Sequence, residues 1–251
     1  MLLTQKAFAE GGRALIYFAS AQGDILTRSD DPEARELANH VLSFLTPIIK
    51  AFLTETGFEA ANLGLQCFGG HGYINEWGAE QNVRDARIAM LYEGTTGIQA
   101  LDLLGRKVLG TRGKALAPVT SFILDFCKHS RSRKELRPYL KTLVRLTKQW
   151  KSLTRKIGFA AMRNRDAVGA ASVDYIMFSG YVLLGVAWAA SARAAYKRLE
   201  EGTKEEAFYR AKIQTAEFYF AKILQRTTTL LETMSTVHES LMKLDENEFM
   251  F

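Results

Sequence analysis

The scarcity of proline constrains this chain more than any other feature: four prolines in 251 residues, set among long stretches rich in Ala, Leu, Lys, Arg and Glu. Proline ends or kinks a helix, whereas Ala and the straight-chain residues propagate one. No segment alternates as strands do, and no internal repeat is evident. The chain therefore reads as all-α. Asp30-Asp31-Pro32-Glu33 marks a helix start, with an Asp cap, proline in the first turn and an acid near the positive end of the dipole. The helix that follows runs through Leu37, Val41, Phe44, Leu45 and Ile48, and Pro47 is expected to kink or divide it. A further helical stretch covers Glu55 to Phe68. Ahead of these, residues 2–22 read as a helix with a weak spot at Gly11-Gly12.

Residues 80–91 read as a short helix carrying Arg84 and Asp85, and 96–108 as another, with Ile98, Leu101, Leu104 and Val108 at helical spacing. Gly105, Gly110 and Gly113 then loosen the chain, which places a boundary between domains 1–110 and 111–251. Beyond it lie helical stretches over about 114–130, 133–165, 170–200 and 203–233, with a tail helix at Ser235–Leu244. The expected fold is an up-down helical bundle followed by a second, appended bundle.

Composition narrows the function classes. At 47% hydrophobic and 24% charged, the chain fits a globular protein with a sizeable core. Cys67 and Cys127 share no motif spacing, and His40, His71, His129 and His238 are scattered, so no metal site or disulfide scaffold is expected. No signal peptide is visible, and the default expectation is a reduced, cytoplasmic protein. Residues 128–165 hold thirteen Lys or Arg against one acid, Glu135. That local balance of +12, in a chain of net +6, leaves −6 for the rest. Within 133–165, Leu143, Trp150 and Ile157 form one stripe, while Lys141, Arg145, Lys148, Lys151 and Arg155 lie elsewhere around the helix. Such a helix either packs its stripe on the bundle or binds a membrane surface or acidic partner; the first is the expectation. Nucleic-acid binding would need a recognisable module or stacking aromatics, which Trp150 alone does not supply. Residues 175–192 carry no charge and read as a buried central helix, with a membrane span as the alternative.

The chemistry-bearing stretch is 66–99. Gly69, Gly70 and Gly72 allow close backbone approach to a ligand and offer N–H groups to anionic oxygens. Tyr92-Glu93-Gly94-Thr95-Thr96 then sets one carboxylate beside a glycine and two hydroxyls. After the apolar run Ile88, Ala89, Met90, Leu91, Glu93 is expected to be poorly solvated, as suits a proton-abstracting base.

These motifs, in this order, resemble the C-terminal helical domain of the acyl-CoA dehydrogenases, flavoproteins that desaturate acyl-CoA thioesters. Gln66-Cys67-Phe68-Gly69-Gly70 resembles the family's Q-x-x-G-G turn, and Gly72-Tyr73 its following glycine-aromatic pair. Arg84-Asp85-Ala86-Arg87 resembles its R-D-A-[KR] helix, and Tyr92-Glu93-Gly94-Thr95 its Y-E-G-T motif. The close match covers about 58–108, and a looser one reaches residue 1. The resemblance implies FAD as cofactor, an acyl-CoA substrate and an electron acceptor such as a flavoprotein. It implies Glu93 as the base that removes the α-proton while the β-hydride passes to flavin N5, with the thioester oxygen held by the Glu93 amide and a flavin ribityl hydroxyl. Gly94 would let substrate approach, and Thr95, Thr96 and Gly97 would touch FAD. Gly97 departs from the family's Glu or Gln, so only its backbone is carried over. Gln66, Cys67, Phe68, Gly69 and Gly70 would reach the FAD of a neighbouring subunit, implying a homodimer or homotetramer. Arg84 and Asp85 would form ion pairs that keep the two turns in register. The family's N-terminal helical domain and β-domain have no counterpart here. The chain therefore reads as a fragment without turnover on its own, followed by a helical extension as in longer members. A helical oligomerisation or interaction module, possibly membrane-peripheral and without catalysis, is the alternative.

Overall fold

Asp31 accepts a hydrogen bond from the Glu33 amide and Pro32 follows it as the first helical residue, so helix α2 (Pro32–Cys67) begins at the cap the sequence places there. The computed structural model describes residues 1–236, 241 and 243–248, and every regular element among them is helical. The tail helix expected over 235–244 falls largely outside the described residues, as does His238.

Pro47 does not divide α2, which runs unbroken for 36 residues. A proline inside a helix leaves the carbonyl four residues earlier without its amide partner. Here that carbonyl belongs to Ser43, and it accepts a hydrogen bond from Lys107 Nζ. A tertiary contact thus supplies the donor that proline removes.

The Gly11-Gly12 weak spot is also absent. Helix α1 spans Leu2–Arg28 without interruption, and both glycines are buried. A Cβ at Gly11 would lie 2.5 Å from Trp188 Nε1, and one at Gly12 would lie 3.1 Å from Leu53. The pair lets α1 seat closely against its neighbours. Trp188 belongs to α8 (Asp166–Glu200), and its indole N–H donates to the Ala7 carbonyl at 3.1 Å. Gly180 in α8 plays the same part against α2, because a Cβ there would fall 2.1 Å from the Phe52 ring.

Helix α8 is the hub. It packs on α1, α2 and most later helices, and its uncharged centre is 78% buried within the fold. Both α2 and α8 are long and apolar enough to cross a membrane by length and composition, but the burial of α8 marks it as the core helix of a bundle.

The remaining helices are α3 (Gly70–Tyr73), α4 (Ala79–Ile88), α5 (Thr96–Leu101), α6 (Leu116–His129), α7 (Arg137–Arg163), α9 (Glu206–Phe218) and α10 (Arg226–Thr233). Two widen at their ends: π-helical turns continue α5 through Asp102–Leu109 and α9 through Tyr219–Ile223. Residues 110–115 form turns, yet one buried cluster runs across them from Ala7 to Met234. Leu143, Trp150 and Ile157 are in it, so the apolar stripe of α7 packs on the bundle. Full burial of side chains of this size contributes roughly 1.5–3 kcal/mol each. Polar ties also bind the late helices to the first two: Arg226 grips both Glu59 oxygens at 2.6 and 2.7 Å, and Lys212 pairs with Glu10 at 2.8 Å.

Candidate functional site

The Glu93 loop follows α4 and a set of turns and ends at α5. Its backbone is unusual. Glu93 has φ +54° and Gly94 φ +91°, and among the described residues only one other non-glycine residue, Arg112, has positive φ. A left-handed conformation costs a non-glycine residue about 1–3 kcal/mol and persists only where surrounding contacts enforce it. The enforcing contacts come from α2 and α5. Lys50 Nζ donates to the Gly94 carbonyl, Thr96 Oγ1 donates to Glu55 Oε1 at 2.6 Å, and Gln99 Nε2 donates to the Glu93 carbonyl at 3.2 Å. Lys50, Glu55 and Gln99 are thus part of the site although no motif marks them. As charged or polar helical residues they carry no local signal, and their role appears only once the loop is laid across α2.

Two expectations for this region need correction. Glu93 is exposed rather than poorly solvated. The apolar run before it does not close over it: Ile88 and Leu91 are themselves about half exposed, as is Tyr92. Arg84 and Asp85 form no ion pair among the described residues. Both are exposed, and Asp85 instead accepts from Gln81 Nε2 one helical turn away at 2.7 Å. Short α4 lies along α2, and it is this packing that spans the gap between the two turns.

Gln66, Cys67, Phe68, Gly69 and Gly70 cap the far end of α2, and all five are exposed. Gly69 has φ +58°, and a Cβ on it or on Gly70 would meet nothing within 4 Å. Gly72 serves a different purpose: it is buried, with no room for a Cβ beside the Leu65 carbonyl. Lys50 and Glu55 lie 11 to 17 residues earlier on the same helix, so the two turns stand roughly 17–25 Å apart. The structure does not bring the 66–70 turn and Glu93 together within one chain.

The loop also offers donors of its own. Thr95 is exposed and its hydroxyl has no partner among the described residues; it precedes α5, whose first amides, on Thr96, Gly97 and Ile98, lack intrahelical acceptors. Such a set suits phosphate or carbonyl oxygens. The open glycine turn at 69–70 leaves room for a second flat or anionic group. The Thr96 hydroxyl is already committed to Glu55. No cluster of metal-ligating side chains occurs among the described residues. A cavity of about 650 Å³ lies elsewhere, between α1, α6 and α8, with Phe18, Phe122 and Phe126 in its wall and no motif residue.

The all-helical fold thus holds a strained, glycine-flanked carboxylate against one long helix, with an open glycine turn at that helix's end. Two family descriptions match in tandem: "Acyl-CoA dehydrogenase, C-terminal domain" over residues 3–109 and "Acetyl-CoA dehydrogenase C-terminal like" over 117–245. The chain belongs to the acyl-CoA dehydrogenase family. It is 31% identical to a broad-specificity linear acyl-CoA dehydrogenase of Mycobacterium tuberculosis, over 99% of this chain and 42% of that protein. It is 34% identical to 3-methylmercaptopropionyl-CoA dehydrogenase of Ruegeria pomeroyi, over 96% of this chain and 41% of that protein. The chain thus spans about two fifths of the length of these relatives. In fold it is similar to Caenorhabditis elegans ACDH-11, solved in complex with C11-CoA, with a TM-score of 0.69 at 19% identity over 85% of this chain and 34% of that one.

Proposed function

We propose that this chain supplies the base and part of the cofactor site for FAD-dependent α,β-desaturation of an acyl-CoA thioester. The observation that carries this reading is the Glu93 loop. A carboxylate is held in a left-handed conformation, next to a glycine, by three side-chain contacts from two helices. Strain of this kind, enforced from outside the loop, is a mark of a positioned functional group.

Glu93 removes the α-proton of the bound thioester. Its own amide, which makes no backbone hydrogen bond among the described residues, donates to the thioester oxygen and stabilises the negative charge that develops there. Gly94, without a side chain, lets the acyl chain lie close. Thr95, the amides of Thr96 and Gly97, and the turn Gln66, Cys67, Phe68, Gly69, Gly70 hold FAD, which when bound accepts the β-hydride. The 66–70 turn, roughly 17–25 Å from Glu93 along α2, would serve the site of a second copy, in a homodimer or homotetramer.

A proton-abstracting base works best when water is excluded around it. Glu93 is exposed in this chain, so the chain by itself is proposed to carry no turnover, and the elements that cover the carboxylate come from the rest of the assembled enzyme. The test is anaerobic mixing of the FAD-loaded assembled enzyme with acyl-CoA while the flavin band is followed. Glu93→Gln should keep FAD and slow bleaching by at least about 10²–10⁴-fold. Unchanged bleaching would assign the proton to another base. Loss of FAD in both forms would instead favour a helical interaction module that retains the motif without the chemistry.

A further inference from the structure

The cavity between α1, α6 and α8 is used by neither the core nor the desaturation site. At Gly11, α1 touches α8 so closely that a Cβ would lie 2.5 Å from Trp188. Farther along α1, Ala14 and Phe18 face the cavity instead. Phe18 meets Phe122 of α6 with ring centroids 5.0 Å apart, which makes one aromatic wall. The α8 side is lined by Leu183, Ala187, Ala190 and Ala194, spaced by three or four residues and so on one helix face. An apolar hollow of about 650 Å³ forgoes the contacts of a packed interior, and its volume is within the range of about 300–1,000 Å³ usual for small-molecule sites. One end of it is polar. The Arg193 guanidinium lies 4.8 Å from the centre of the Phe126 ring and donates from one nitrogen to Ser130 Oγ at 3.0 Å. Arg193 pairs with no carboxylate among the described residues. Asp125, the only acid in the wall, forms no ion pair with it. His129 is also in the wall, with its Nδ1 2.7 Å from the Asp125 carbonyl oxygen.

We propose that this cavity binds a medium-length alkyl monocarboxylate, with the chain between α8 and the phenylalanines and the carboxylate on Arg193. From Leu183 to Ala194 the α8 wall runs roughly 16 Å, apolar at one end and cationic at the other. Small side chains on one side and aromatic rings on the other leave a trough that takes an extended chain. The guanidinium at its end is a planar fork matched to a carboxylate, and it stays charged at any working pH. Stacked on Phe126 and tied to Ser130, it is held in place before a ligand arrives, which lowers the ordering cost of binding. The site shares no residue with the Glu93 loop or the 66–70 turn. Gly180, where α8 meets Phe52 of α2, lies roughly 10–15 Å along α8 from Ala187 and Ala190. The inference therefore holds whether or not Glu93 is a base.

The test is calorimetric titration of the full chain with decanoate, and with decylamine as the cationic counterpart. Decanoate is expected to bind with a Kd below about 1 mM and decylamine at least about tenfold more weakly. Arg193→Gln should weaken decanoate by at least about tenfold, the loss expected for a hydrogen bond to a charged group. Asp125→Asn should bind decanoate at least as tightly as the parent chain, because it removes the one acid in the wall. Two variants block the cavity, Ala190→Trp inside it and Ala194→Trp at its exposed rim, and each that keeps the parent's circular dichroism should lose binding. No binding by the parent chain, equal or tighter binding of decylamine, or an unaffected Arg193→Gln would overturn the proposal. So would weaker binding by Asp125→Asn, or decanoate binding that survives in a folded blocking variant, which would place the ligand elsewhere, as at the Glu93 loop.

Discussion

The ammonium of Lys107 donates to the carbonyl of Ser43, the acceptor that Pro47 deprives of its helical amide. Lys107 is only 13% exposed at its side chain and also faces Asp102 at 3.5 Å. Ser43 is exposed, so water can replace a lost donor and the hydrogen bond contributes only about 0.5–1.5 kcal/mol net. Lys107→Met is therefore expected to lower stability by that amount. In a Pro47→Ala background, where the amide of residue 47 can reach Ser43 again, the same substitution should cost measurably less. Urea unfolding of the four proteins gives the coupling, and equal costs in both backgrounds would remove the link between Lys107 and the proline.

Gly11 and Gly23 lie in one helix and should respond oppositely to alanine. Helix propensity alone favours alanine at either site by about 1 kcal/mol. At Gly23 a Cβ meets nothing within 4 Å, and a gain of about 0.5–1 kcal/mol is expected. At Gly11 the new Cβ meets Trp188 Nε1 at 2.5 Å and displaces an indole whose N–H holds the Ala7 carbonyl. Overpacking of this kind costs about 1–3 kcal/mol, which outweighs the propensity. Thermal unfolding of Gly11→Ala and Gly23→Ala should shift Tm down and up respectively.

Gly94 and Gly97 separate conformational need from mere absence of a side chain. Gly94→Ala meets both a φ of +91° and Gln99 Nε2 at 2.7 Å, whereas a Cβ at Gly97 meets nothing. The first should cost about 1–3 kcal/mol and release the loop, seen as faster amide hydrogen exchange over 93–97. Gly97→Ala should leave exchange there unchanged.

Two carboxyls set an acid limit to stability. Burial works to raise both Glu10 and Asp102, but their cations outweigh it: Lys212 and Lys6 hold Glu10 low, and Arg106 and Lys107 hold Asp102 low. A carboxyl depressed in the folded state contributes stability that is present above its unfolded value and lost as pH falls through the folded one. Tm should therefore be flat from pH 7 to about 5 and fall below about pH 4. Glu10→Gln should flatten part of that fall by no more than about 1 kcal/mol, because the group is partly solvated. An unchanged acid slope in the variant would exclude Glu10 as a contributor.

The two thiols should separate under a disulfide reagent at pH 8. Cys67 is exposed at the end of α2, while burial pushes the Cys127 thiol up to about 11. Only about one thousandth of Cys127 would then be thiolate, even before access is considered. One equivalent is expected to react at once and the second only on unfolding. Two rapid equivalents would show that the α6–α7 packing around Cys127 opens freely.

What could be read without coordinates was whatever rests on near neighbours in the chain. The Asp31 cap, the scarcity of proline, the stripe of Leu143, Trp150 and Ile157, and the uncharged centre of α8 all act within a few residues, and each led to the helix or face observed. The motif residues were legible for the same reason, as contiguous runs with a family likeness. Tertiary structure decided what depends on distant partners. Pro47 and Gly11-Gly12 look like weak points until Lys107, 64 residues from Ser43, and Trp188, in another helix, are brought against them. Glu93 is pinned by Lys50 and Glu55, whose contacts with the loop cross 44 and 41 residues. That Glu93 is exposed, and that Arg84 and Asp85 form no ion pair among the described residues, appears only in the folded chain. Sequence periodicity determines which residues share a helix face; only packing determines what that face meets and how much water it keeps.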